Sequence, residues 1–162
     1  MLKRILCATL ASGALVLSGS AAAQELKIAL IAGKTGPLEA YAKDTEKGFM
    51  LGLEYLTNGT MALNGRKIRV IVKDDQLKPD LGKAMLAEAY ADDKVDIAVG
   101  TTSSGVALAM LPVAEEYKKV LIVEPAVADA ITGDKWNRYI FRTGRNSAQD
   151  GLASAATLLG GG

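Results

Sequence analysis

Residues 95–128 read VDIAVGTTSSGVALAMLPVAEEYKKVLIVEPAVA, and this stretch decides the fold. Apolar runs over residues 96–100 and 120–124 predict two buried strands. The helical spacing of apolar residues between them predicts a crossover helix, so the two strands are expected to be parallel. The hydroxyl-rich turn at residues 101–105 then follows the carboxyl end of a parallel strand, where α/β proteins bind small ligands. It holds no acid, base or nucleophile of an obvious catalytic type, which favours binding over catalysis.

The rest of the chain continues this alternation of strands and helices. Apolar runs predict strands over residues 26–32, 67–73 and 139–142, and helical periodicity predicts helices over 38–56, from 79, and over 146–159. The pattern is typical of an α/β fold with a parallel sheet and helices on both faces. If the strands are ordered 2-1-3-4-5, the carboxyl ends of strands 1 and 3 border the ligand crevice of such a sheet. Because no strand follows the last helix, we expect an incomplete part of a longer protein.

The amino terminus has the organisation of a bacterial export signal. Lys3 and Arg4 precede an apolar run over residues 5–17, and a small-residue cleavage site ends at Ala23. The alternative, a membrane anchor, is disfavoured because the apolar run is shorter than the ~20 residues that span a bilayer. We therefore expect residues 1–23 to be removed and residues 24–162 to form a single ligand-binding lobe in the periplasm.

Composition excludes several kinds of chemistry. The chain has no histidine, and its single cysteine, Cys7, lies in the predicted signal. Histidine-dependent catalysis and the usual zinc sites are therefore excluded. Removal of the signal leaves 17 basic against 18 acidic residues, so no net field attracts nucleic acid or a membrane surface. We expect a non-enzymatic protein without cofactor or metal.

The turn at residues 101–105 permits two interpretations. Gly100 and Gly105 have the glycine spacing of a phosphate-binding loop, but Val106 stands where that motif requires lysine. In a smaller anion site, Ser103 and Ser104 would present hydroxyls and the following helix its free amides to a carboxylate. The alternative is that Thr102, Ser103 or Ser104 merely caps the helix.

Position favours the anion site, because three loops are expected to converge at this edge of the sheet: residues 34–41, 101–105 and 125–128. Tyr41 would add an aromatic wall and a hydroxyl, unless it is a half-buried helix residue packed on the sheet. Asp74 and Asp75, also at a strand end, are more typical of a turn or a helix cap than of an acid/base pair.

Three segments carry a family resemblance: KIALIAGKTGPLEAY (27–41), DDQLKPDLGKAMLAEAYADDKVDIAVGTTSSGVALAMLPVAEE (74–116) and VEPAVADAITGDKWNRYIFRTGRNSAQDG (123–151). In this order they resemble the amino-terminal lobe of type I periplasmic binding proteins, above all the leucine/isoleucine/valine-binding proteins of ABC transporters. The resemblance implies a two-lobed protein that binds an amino acid or another small carboxylate and delivers it to permease subunits.

The resemblance also assigns roles to residues. It implies that Tyr41 and the loop with Thr102, Ser103 and Ser104 grip the ligand's carboxylate and amino group, together with backbone and hydroxyl groups of the next loop, Ala126, Val127 and Ala128. The family usually has a threonine where this chain has Ala128. Recognition of an α-ammonium group is thus weakened, and the third segment is similar to binders of aromatic and other organic carboxylates.

Two other functional classes use similar folds. A ligand-sensing domain of a receptor or regulator is the main alternative, and a membrane-spanning or DNA-binding segment in the full-length protein would favour it. A flavodoxin-like enzyme is disfavoured by the missing histidine, the incomplete phosphate loop and the export signal.

Overall fold

The computed structural model describes residues 24–160, so the export signal predicted for residues 1–23 lies outside the described residues. Its elements are β1 (Leu26–Ala32), α1 (Glu39–Leu56), β2 (Ala62–Leu63), β3 (Arg66–Asp74), α2 (Pro79–Ala91), β4 (Ile97–Gly100), α3 (Ser104–Tyr117), β5 (Val120–Val123), a 3-10 turn (Asp129–Ile131), β6 (Ile140–Arg142) and α4 (Ser147–Gly160). The predicted strands and helices are all present, with bounds that differ by no more than one residue.

The sheet has the order β2-β3-β1-β4-β5-β6. With β2 set aside, this is the predicted order 2-1-3-4-5, and those five strands are parallel. The short strand β2 was not predicted; it pairs antiparallel with β3 across a two-residue turn at Asn64-Gly65. Both turn residues have positive φ, 50° and 78°, as tight hairpin turns require.

β1 is central because it hydrogen-bonds to β3 on one side and to β4 on the other. Its Ala29, Leu30 and Ile31 are fully buried, which explains why the strand is an unbroken apolar run instead of an alternating one. The carboxyl ends of β1, β4 and β5 thus lie side by side at one edge of the sheet.

Helices cover both faces of the sheet. On one face α2 and α3 pack over a core that includes Leu86, Met110 and Leu121. On the other face α1 places Phe49 and Leu53 against a smaller cluster, Ile28, Leu30, Ile68 and Val99. The layered α/β prediction is confirmed.

Gly100 ends β4 immediately before the hydroxyl-rich turn. Its φ is +146°, and a Cβ added there would lie 2.0 Å from the Ile31 carbonyl oxygen. A side chain would therefore clash with β1 and strain the backbone. Glycine at this position lets the turn begin directly against β1.

The loop before β6 and the helix α4 lie at the end of the described chain, and each is attached by hydrogen bonds. The Trp136 indole N–H donates to the Ile140 carbonyl (2.9 Å), and this hydrogen bond holds the loop before β6 against that strand. α4 is attached at its first turn, where the Ser147 amide donates to the Val127 carbonyl (2.8 Å). Apart from half-buried Asp150, every residue of α4 is exposed.

Candidate functional site

A cleft of about 210 Å³ opens at the carboxyl ends of β1, β4 and β5. Residues from all three loops that were expected to converge line it, together with one from the segment after β6: Leu38, Tyr41, Thr102, Pro125, Val127 and Arg145. Of the seven site residues predicted from sequence, the structure thus places Tyr41, Thr102 and Val127 on the cleft wall. Ser103, Ala126 and Ala128 lie in the same loops, and Ser104 is the first residue of α3.

The hydroxyls of Thr102 and Ser104 connect neighbouring loops. Thr102 Oγ1 accepts the Gly33 amide (3.1 Å), and Ser104 Oγ accepts the amides of Val127 (3.2 Å) and Ala128 (3.1 Å). Each oxygen is thereby used as an acceptor. Neither O–H has an acceptor within residues 24–160, so both are free to donate, that of Thr102 on the cleft wall and that of Ser104 beside it.

Helix capping does not explain these hydroxyls. Ser103 is the residue before α3, yet its side chain makes no capping hydrogen bond. The first backbone bond of the helix runs from the Ala107 amide to the Ser103 carbonyl (2.9 Å). Among residues 24–160 the amides of Ser104 and Gly105 have no acceptor, which leaves the positive end of α3 open to an anion. The next residue, Val106, is fully buried, so its amide is not open in the same way.

Two carbonyls of the loop after β5 are already occupied by donors of this chain. Ala126 is buried, and its amide donates to the Thr101 carbonyl (3.2 Å). The Val127 carbonyl accepts the Ser147 amide, the Ser147 hydroxyl (3.1 Å) and Arg142 Nη1 (3.3 Å). The Ala128 carbonyl accepts Arg142 Nη1 as well (2.8 Å). The carbonyls of Val127 and Ala128 are therefore poorly placed to accept from an ammonium group, whereas those of Pro125 and Ala126 have no donor among residues 24–160.

Tyr41 lies in the first turn of α1 and is 62% exposed. Its ring lines the cleft and is not packed on the sheet, so the interpretation as a half-buried helix residue is wrong. A ring in this position can stack on a flat ligand and present its hydroxyl.

Two arginines of the site were missed by sequence reasoning. Arg142, the last residue of β6, fixes the loop after β5 through the carbonyls of Val127 and Ala128. Arg145 lines the cleft, and its Nε donates to Asp150 Oδ1 (2.5 Å), while its two Nη groups have no acceptor among residues 24–160. The signal for both was their position at the edge where the other loops meet: Arg142 ends a predicted strand and Arg145 follows it.

Asp74 and Asp75 support the loops behind the cleft. Asp74 accepts the amides of Lys34 (2.8 Å) and Gln76 (2.9 Å), and Asp75 accepts the Leu77 amide (2.8 Å) and the Thr101 hydroxyl. Burial opposes ionisation of Asp74, but its hydrogen bonds outweigh burial and lower its pKa. Burial raises the pKa of Asp75, and the charge of Asp74 adds to the rise.

A larger groove of about 340 Å³ lies between α1 and the sheet and is lined by the apolar Phe49, Val99 and Ile122. Glu124, the charged residue among its described lining, would repel a carboxylate. Within residues 24–160 no cluster of three acidic residues is arranged to hold a metal ion. The helices of that part of the chain include none with the length and hydropathy of a membrane span.

Comparison with known proteins gives consistent matches. Residues 25–161 match the family model described as periplasmic binding protein. A Leu/Ile/Val-binding protein homologue of Brucella melitensis is 29% identical over 145 residues, which cover 89% of this chain and 39% of that protein.

Two solved structures extend the comparison. An ABC-type branched-chain amino acid transporter protein of Rhodopseudomonas palustris is 76% identical, with a TM-score of 0.78 over 79% of this chain and 34% of that one. A solute-binding protein from the same species, solved with 3,4-dihydroxybenzoic acid, is 32% identical, with a TM-score of 0.70 over 78% of this chain and 33% of that one. The chain thus spans little more than a third of the length of the relatives it matches.

Proposed function

Since the chain belongs to the periplasmic binding protein family, we propose that residues 24–162 form the first ligand-binding lobe of an exported solute-binding protein. The protein binds a small carboxylate between this lobe and a second one, and delivers it to the permease of an ABC transporter. Export requires the signal over residues 1–23 and its removal near Ala23.

The observation that carries the proposal is the surplus of hydrogen-bond donors in and beside the cleft. The oxygens of Thr102 and Ser104 already accept backbone amides, so their hydroxyls are left to donate. The amides of Ser104 and Gly105 add two donors beside the cleft, and the Nη groups of Arg145 add more on its wall. A carboxylate accepts hydrogen bonds and carries the charge that this set of donors attracts.

The excess of donors over acceptors also bears on the part of the ligand that lies away from its carboxylate. The Val127 carbonyl already accepts three donors, and no acidic side chain is among the described lining of the cleft. A negatively charged partner for an ammonium group would have to come from the second lobe. Tyr41, Leu38 and Pro125 instead offer apolar surface, which suits the hydrocarbon part of an aromatic or branched aliphatic acid.

Calorimetric titration of the two-lobed protein tests the proposal. The panel is isoleucine, benzoate and 3,4-dihydroxybenzoate, with benzamide as the neutral control for benzoate. We expect at least one acid to bind with a Kd in the micromolar range or below, and benzamide to bind at least tenfold more weakly than benzoate if benzoate is a ligand. Failure of every acid at millimolar concentration, or equal binding of benzoate and benzamide, would contradict the proposal.

A further inference from the structure

Asp75 is the fully buried carboxylate of the described chain, with 0% exposure, and it lies between loops that carry the cleft. One oxygen accepts the Leu77 amide in its own loop, after β3. The other accepts the hydroxyl of Thr101, which is also fully buried and belongs to the loop after β4. A buried carboxylate is stable only when it is hydrogen-bonded. These two hydrogen bonds therefore hold the loop after β3 and the loop after β4 in a fixed position relative to each other.

Thr101 extends this connection to the rest of the site. Its carbonyl accepts the Ala126 amide (3.2 Å), which holds the loop after β5. The next residue, Thr102, accepts the Gly33 amide and so holds the loop after β1. Four loops thus meet at Thr101 and Thr102, and the side chain that orients Thr101 is Asp75.

We propose that Asp75 is a positioning residue of the ligand site: through the Thr101 hydroxyl it sets the placement of Thr102, Ser104 and the 126–128 loop. Its own carboxylate is buried behind the cleft and is not among the cleft's lining residues, so it acts on the ligand only through these loops. The inference rests on the proposed function for the identity of the site, while the placement of the loops can be measured without ligand.

Paired substitutions at Thr101 separate positioning from general stability. Thr101→Val keeps the shape of the side chain and removes the hydroxyl, whereas Thr101→Ser keeps the hydroxyl and removes a methyl group. Both are expected to lower the melting temperature, because the site is buried. The control is Tyr90→Phe, which removes another buried hydroxyl bond, to the Val120 carbonyl (2.9 Å), at the opposite edge of the sheet.

Amide spectra without ligand and titration with ligand, both on the two-lobed protein, test the proposal. In ligand-free amide spectra, Thr101→Val is expected to shift the resonances of Gly33, Val127 and Ala128, while Thr101→Ser leaves them near their wild-type positions. In titration with whichever of isoleucine, benzoate and 3,4-dihydroxybenzoate the wild type binds, Thr101→Val and Asp75→Asn should each weaken binding at least tenfold. Thr101→Ser should stay within about threefold and Tyr90→Phe should leave affinity unchanged.

The outcomes are distinguishable. If Thr101→Val leaves the resonances of Gly33, Val127 and Ala128 in place, or if Thr101→Ser shifts them as far as Thr101→Val does, positioning by Asp75 is wrong whether or not a ligand binds. If the resonances move as expected but affinity does not, the coupling to the ligand site is wrong. A wild-type protein that binds none of the acids contradicts the proposed function, and the spectra then decide the positioning claim alone.

Discussion

Ser103 and Ser104 are adjacent hydroxyls with different surroundings. Ser104 accepts the amides of Val127 and Ala128, whereas Ser103 makes no capping bond. We predict that Ser104→Ala lowers ligand affinity by one to two powers of ten and the free energy of unfolding by about 1–3 kcal/mol, because two amides lose their acceptor. Ser103→Ala, the matched control, should leave unfolding nearly unchanged. Calorimetry and thermal melts measure both effects, and a Ser104→Ala variant that melts like the wild type would contradict this assignment.

Asp74 and Asp75 are expected to contribute to the free energy of unfolding with opposite dependence on pH. The lowered pKa of Asp74 means that its stabilising contribution is present above the unfolded-state pKa and is lost as pH falls through the folded-state value. The raised pKa of Asp75 means that its contribution is present below the unfolded-state pKa and is lost as pH rises through the folded-state value. Denaturant unfolding of Asp74→Asn and Asp75→Asn between pH 2 and 7 should give difference curves of opposite slope. Difference curves of the same slope would show that the pKa shift assigned to Asp74 or to Asp75 has the wrong direction.

At the residue scale, sequence reasoning found the hydroxyls and missed their partners. A run of Thr and Ser after a strand is visible in one sequence, so Thr102 and Ser104 were predictable. That Asp75 bonds to Thr101, 26 residues away, depends on β3 and β4 both flanking β1, and no local pattern reports it. Arg145 was missed because an arginine in a loop is usually a solvated surface residue.

At the element scale, the close packing of α2 on α3 depends on Gly82. A Cβ there would lie 2.3 Å from Val106 Cγ1, and the β-branched Val106 has little freedom to move within a helix. We predict that Gly82→Ala lowers the free energy of unfolding by about 1–3 kcal/mol through overpacking. Gly48→Ala is the control, because α1 leaves nothing within 4 Å of the added Cβ and alanine favours the helix by about 0.5–1 kcal/mol. Denaturant titrations should show opposite signs, and equal effects would contradict the packing argument.

The order of the five parallel strands was predictable because apolar runs and crossover helices leave few topologies for an α/β chain. β2 was missed because two residues are too few to show strand periodicity. The Asn64-Gly65 pair did mark the turn, and it is the kind of turn that joins antiparallel strands. The apolar periodicity of α4 predicted the helix. It did not predict which residues cover the apolar face of the helix, because those residues lie elsewhere in the sequence.

At the scale of the whole molecule, the described lobe leaves apolar surface uncovered. Leu152, Leu158 and Leu159 of α4 are more than 70% exposed, and the groove beside α1 is open. We predict that residues 24–162 alone associate in solution and bind the acids at least a hundredfold more weakly than the two-lobed protein. Without the second lobe, the donors of the cleft face water, where charged contacts contribute little.

Sedimentation and calorimetry on the separate lobe measure these two properties. A charged variant, Leu159→Lys, should reduce the association without changing the weak binding, because Leu159 lies at the far end of α4 from the cleft. A well-behaved monomer that binds an acid as tightly as the two-lobed protein does would contradict both expectations.

The most direct test of the carboxylate site is a crystal structure of the two-lobed protein with the tightest-binding acid of the panel. The ligand's carboxylate oxygens are predicted to lie about 2.7–3.2 Å from donors of this lobe: the first-turn amides of α3, the hydroxyl of Thr102 or Ser104, and an Nη group of Arg145. A carboxylate bound only by the second lobe, with none of these donors within about 3.5 Å, would contradict the central role assigned to this cleft.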